Sequence, residues 1–197
     1  MIRSLVLPLG LAFVLASSAV AARPRPANVT PPTTADGVYV DHGGCPGEGC
    51  SMHGRIQAEA AVTLYDRPGP SAAAVGRLEA GEWVEAVDTE VRLVPVRGVV
   101  RESGKLPRPL ARGDVVYGLT PTGEGCLDLW RKGAVLDWCD PESIGSDYAR
   151  IDFDPPPAGA PPMVFWVRVK RLKGPDGWIR DLADIRCGGQ MDREGCP

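Results

Sequence analysis

Glycine and proline interrupt this chain so often that its regular elements have to be short: 24 glycines and 20 prolines are spread over 197 residues. Proline fixes φ and removes an amide donor, and glycine admits positive φ, so long helices are disfavoured. The segments between these breaks alternate as half-buried strands do. In "RIQAEAAVTLYDRPGPSAAAVGRLEAGEWVEAVD", Val62 and Leu64, with Ala60, alternate with Thr63 and Tyr65. "DRPGP" then forces a turn, Ala74 to Leu78 forms a second short strand, "EAGE" turns again, and Trp83 to Val87 resumes the alternation. Short strands at a spacing of about 8–12 residues with Gly/Pro turns predict an all-β fold built on a small barrel or sandwich.

The two ends read differently. Residues 1–22, "MIRSLVLPLGLAFVLASSAVAA", have a positive start at Arg3, a short apolar run and small residues at Ala19-Val20-Ala21. That is the pattern of a secretory signal peptide cleaved near Ala21/Ala22. The expected location is periplasmic or secreted. No later run is apolar for the ~20 residues a membrane helix needs, so no membrane span is expected. Loss of Arg3 with the leader takes the formal charge from −3 to −4. With no basic block, a nucleic-acid partner is not indicated. Residues 23–40 begin with a Pro/Thr-rich run that has little to bury and reads as a flexible lead-in. Residues 41–54 form a Cys/Gly-rich loop.

"VTLYDRPGPSAAAVGRLEAGEWVEAV" resembles the opening half of a bacterial SH3-like (SH3b) domain: an apolar strand, an "R-x-x-P" type loop, a "V-G-x-L" strand and a "G-x-x-V" strand. The usual ending also occurs, as Phe165-Trp166-Val167-Arg168-Val169 followed by "KGPDGWIRDL". The resemblance covers about 34 residues at the start and about 20 at the end, and it implies an SH3-like small β-barrel over residues 55–186. Between the two halves lie about 75 residues where the family needs only a few. This predicts an inserted β subdomain at about 90–162, with a strand over Val115 to Leu119, a hairpin from Leu127 to Trp138 and an exposed "DFDPPPAGAPP" loop. Residues 187–197 form a Cys-bounded C-terminal tail.

Six cysteines in an exported chain make disulfides the expected state. If Lys132-Gly133 is a two-residue turn, Cys126 lies opposite Cys139 at a non-hydrogen-bonded position, where side chains approach most closely. Leu127 then sits beside Trp138 and Leu129 beside Leu136, a coherent core face. The same register sets Asp128 against Asp137, a repulsion that a wider loop would relieve. For the remaining four, two arrangements compete. Each Gly-rich loop closes on itself, as Cys45–Cys50 and Cys187–Cys196, or the two loops are cross-linked. Local closure is favoured because glycines let short loops turn.

Catalytic motifs are weak. His42, Cys45, Cys50 and His53 have the ligand types for zinc, but the oxidising compartment favours a disulfide between the cysteines. No C-x-x-C suggests redox chemistry. Glu48 and Glu124, each in "GEG", offer carboxylates for a small secreted hydrolase on spacing alone. The expectation is a non-catalytic binding module without a cofactor. SH3-like barrels carry aromatics on one flank, and six stand out: Tyr65, Trp83, Tyr117, Trp130, Trp166 and Trp178. Trp83 and Trp166 read as core, whereas Tyr65, Trp178, Tyr117 and Trp130 are the ligand-binding candidates. The resemblance implies an envelope protein, peptide or peptidoglycan as partner.

Overall fold

The computed structural model describes residues 30–47, 53–105, 110–145 and 147–187. The chain is all-β. The one helix among these residues is the four-residue α1 (Pro141–Ile144), capped at its start by the Asp140 side chain. The expected signal peptide, Cys50 and Cys196 lie outside the described residues.

Two antiparallel sheets share the strands. The first contains β1 (Tyr39–His42), β2 (Gly54–Ala58), β3 (Val62–Tyr65), β4 (Ala74–Leu78), β5 (Trp83–Leu93), β11 (Val164–Lys170), β12 (Gly177–Arg180) and β13 (Ile185–Cys187). Its order is β13-β2-β5-β11-β12-β3-β4, with β1 added on β5. The second is made only from the intervening chain: β6 (Val96–Glu102), β7 (Val115–Gly123), β8 (Cys126–Arg131), β9 (Ala134–Cys139) and β10 (Arg150–Phe153), in the order β10-β6-β7-β8-β9. Tyr39 and Val40, expected in a flexible lead-in, instead pair with Leu93 and Arg92.

Each sheet has its own core. Leu64, Leu78, Val91, Val167, Val169 and Ile179 are fully buried in the first. Val100, Val116, Leu129 and Trp138 anchor the second. There the Phe153 ring meets Trp138 edge-on at 5.6 Å. It lies over Gly98, where an added Cβ would come within 2.9 Å of the ring. Thr120 Oγ1 on β7 donates to Asp41 Oδ2 on β1 at 2.6 Å, tying the second sheet to the first.

One irregularity decides which residues of β5 face outward. Arg168 pairs with Asp88 but Val169 pairs with Ala86, so Val87 is an extra residue, a β-bulge. Before it Val84 and Ala86 point into the core; after it Val91 and Leu93 do. Strict alternation from Val84 would have turned Glu90 and Arg92 inward.

The hairpin of β8 and β9 has the register expected from its turn. Lys132 and Gly133 have φ of 49° and 91°, positive at both turn positions as a type I′ turn requires. Cys126 is opposite and disulfide-bonded to Cys139, and Leu127 is opposite Trp138. No wider loop intervenes: Asp128 faces Asp137 directly. Cys45 is also disulfide-bonded, with its partner outside the described side chains. Replacing both Cys126 and Cys139 by serine should lower stability by about 3 kcal/mol, the loop-closure term for a bridge of this span; the shift in guanidinium midpoint measures it.

Candidate functional site

The bulge at Val87 puts a row of chemically active side chains on the outer face of the first sheet. His42 on β1, Glu90 on β5, Trp166 on β11 and Arg180 on β12 are successive cross-strand neighbours. Beside this row run Val40, Arg92 and Val164, and on the other side Asp88, Arg168, Trp178 and Tyr65. Outer-face residues are normally wet, yet Glu90 is 6% and Trp166 3% exposed.

Glu90 is satisfied by charge. Arg92 Nη1 lies 2.9 Å from its Oε1, and His42 Nδ1 stands 3.2 Å from its Oε2. The side chains of Glu90 and Arg92 are 8% and 18% exposed. Removing one member of such a mostly buried pair strands the other, at a cost of about 3 kcal/mol. Trp166 is not satisfied. Its Nε1 is buried and has no acceptor among the described residues, which costs about 1–3 kcal/mol unless something else accepts it. The Tyr65 ring meets the Trp166 indole edge-on at 5.5 Å.

Above this row lies a cleft of about 220 Å³. Trp166, Val164, Val38 and Leu93 line its apolar part, and Arg92, Arg180 and Asp36 supply its charges. Its remaining walls are Gly69 and Pro70 of the "DRPGP" loop and Pro161 and Pro162 of the proline-rich loop before β11. Thr34 Oγ1 donates to the Asp36 carboxylate, and this bond above all holds the group below its usual pKa.

A second cavity, of about 400 Å³, opens on the other sheet and is lined by Thr122, Gly123, Glu124, Cys126, Asp128 and Asp137. Burial, then the charges of Asp41 and Asp137, push the Asp128 carboxyl above its ordinary value. The same junction raises the Tyr39 hydroxyl, through burial first and then Asp41 and Asp128.

The four aromatics expected to bind ligand fall into two pairs. Tyr65 is directly opposite Trp178 in the first sheet, and Tyr117 is opposite Trp130 in the second. All four are half-buried, and no described contact joins the pairs. Only the first pair adjoins the cleft, through Tyr65 against Trp166. Trp83, expected in the core, is instead 38% exposed, with the Arg55 guanidinium 5.1 Å above its ring; it precedes the bulge on the outward phase of β5. Trp166 is buried as expected, but on the outer face, under loops, and not in the core cluster. Glu90, Arg92 and Arg180 were missed because charges on strands read as solvated. The signal available was their clustering around "FWVRV" once β5 and β11 are paired.

For the zinc reading, Cys45 is committed to a disulfide, His42 sits against Glu90 and His53 is exposed. Among the described residues no group of three or more His, Cys, Asp or Glu side chains is arranged to hold a metal. Glu48 lies outside the described residues. No helix among them is long and apolar enough to cross a membrane.

These features define an all-β, disulfide-bonded protein with a loop-covered cleft on one sheet and an acidic cavity on the other. Compared with known proteins, the chain matches no family model, no curated protein and no solved structure.

The acidic junction gives a pH prediction. Because the folded-state pKa of Asp128 is raised, the native state holds that proton more tightly than the unfolded chain. The resulting stabilisation is complete below the ordinary value of 3.8 and is lost as pH rises through the folded-state value. Asp128→Asn should therefore raise the melting temperature at neutral pH and leave it nearly unchanged at about pH 3, as calorimetric scans at the two pH values will show.

Proposed function

We propose that this is an exported, non-catalytic binding protein of the bacterial SH3-like kind, which holds a peptide, a partner protein or a cell-wall component in the envelope. The observation that carries the reading is the cleft over Trp166. An apolar floor flanked by two guanidiniums is a surface suited to a ligand rather than to water. The walls belong to two loops, which suits recognition placed on a rigid sheet. Tyr65 and Trp178 extend the apolar surface alongside it.

The topology supports the SH3-like part. All five segments that carry the resemblance are strands of one sheet, and the last, Gly177–Arg180, pairs with the first, Val62–Tyr65. Tyr117 and Trp130 lie on the other sheet and have no part in this site.

A second reading has one observation in its favour. Asp128 and Asp137 face each other in the acidic cavity near Glu124, and Asp128 retains its proton to higher pH than an ordinary carboxyl. A carboxyl that holds its proton more tightly than usual, opposite a second carboxyl, is the starting material of a glycoside-cleaving pair. The binding reading is preferred because no aromatic side chain lines that cavity to stack on a sugar.

Sedimentation of the purified mature protein with peptidoglycan sacculi, and with detergent-extracted envelope proteins, tests the proposal. Binding should fall at least about tenfold in Tyr65→Ala and Trp178→Ala, the loss expected when a contacting aromatic is truncated. Unchanged binding in both variants removes the Tyr65–Trp178 flank from the binding surface. Release of soluble sugar from the sacculi, abolished by Asp128→Asn, would favour the hydrolase.

A further inference from the structure

The composition of the cleft over Trp166 narrows the ligand, given that this cleft is the binding site. We infer that it takes the C-terminal end of a peptide. The free α-carboxylate lies between Arg92 and Arg180, and a compact apolar last side chain rests on Val38 and Val164.

Size comes first. About 220 Å³ is below the roughly 300–1,000 Å³ that encloses a whole drug-sized ligand. It admits the end of a longer molecule. Charge comes next. Arg180 is directly opposite Trp166, and Arg92 is opposite Val164, two residues away on the same strand. The two guanidiniums therefore flank the indole from neighbouring strands. Arg92 uses Nη1 on Glu90 and has no other hydrogen-bond partner among the described residues. Arg180 is half exposed and, among the described residues, has only the adjacent Asp181, at 3.6 Å. Both keep N–H groups for an oxygen anion, and the fork of a guanidinium matches a carboxylate.

The acidic groups set the limits. Glu90 and Asp36 keep negative charge at the site, which opposes a phosphate dianion more than a single carboxylate. Asp36 also provides an acceptor at the rim. The last peptide N–H of a bound chain can donate to it, whereas a fatty acid has no such donor. Pro70, Pro161 and Pro162 form stiff walls with no backbone donor.

The test uses the mature, oxidised protein, labelled with ¹⁵N, and the indole N–H resonance of Trp166 assigned with Trp166→Phe. The probes are acetyl-Ala-Ala-X peptides, with X as Ala, Val, Leu, Ile, Met or Phe, each as free acid and as C-terminal amide. The acids should shift the Trp166 indole resonance saturably, with the amides at least about tenfold weaker, the value of one charge-assisted contact. Arg180→Gln should weaken the acids several-fold and narrow their advantage over the amides, because Arg92 alone then faces the carboxylate. Equal binding of acid and amide overturns the carboxylate inference and leaves the cleft as a peptide site. No shift with any peptide overturns the cleft reading itself. Octanoate binding as tightly as the peptide acids overturns the peptide assignment, and displacement of the acids by equimolar inorganic phosphate overturns the selectivity for a single carboxylate.

Discussion

The extra residue Val87 is the constraint on which both faces of the first sheet depend. A strand of eleven residues with strict alternation would present Glu90 and Arg92 to the hydrophobic core and Val91 and Leu93 to the outside. Neither arrangement is tolerable: the first buries charge among apolar side chains, and the second exposes the residues that fill the interior. Inserting one residue exchanges the two sets. The first half of β5 then serves the core through Val84 and Ala86 and the second half through Val91 and Leu93. The cleft is a product of that phase change, because its ion pair stands on the part of β5 beyond the bulge.

The bulge also separates what could be read from the residues from what could not. The hairpin from Cys126 to Cys139 was legible to the single rung. Lys132-Gly133 suits only a tight turn, and the period of two then places every later pair, including the costly Asp128–Asp137 contact. The strand starting at Trp83 was legible as a strand, but no glycine or proline marks Val87, so its change of phase was hidden. Its two consequences were hidden with it: the outward position of Glu90 and Arg92, and the place of Trp166 across from them. β1 was missed for another reason. "VYVDH" is short and follows a Pro/Thr-rich run, and its strand character comes from pairing with Leu93 to Glu90, a partner far away in sequence.

The two sheets handle charge in opposite ways. On the first, the buried Glu90 carboxylate is paired with Arg92 and neighboured by His42. On the second, Asp128, Asp137 and Asp41 meet where a hydrogen bond from Thr120 to Asp41 joins the sheets, and burial with these like charges makes Asp128 hold its proton more tightly. The acidic group therefore belongs to the seam between the sheets, whereas the cationic group belongs to the surface of one.

The route of the chain through that seam has a consequence for how the molecule is put together. Arg92 and Val164 are partners on one rung, so the excursion containing the second sheet leaves and re-enters the first at a single point. Closing a loop costs entropy only as the logarithm of its length. From the standpoint of the first sheet, an excursion of this size is therefore little different from a short turn joining β5 to β11. The second sheet is in this sense a graft on the tip of a hairpin, carrying its own core and its own disulfide.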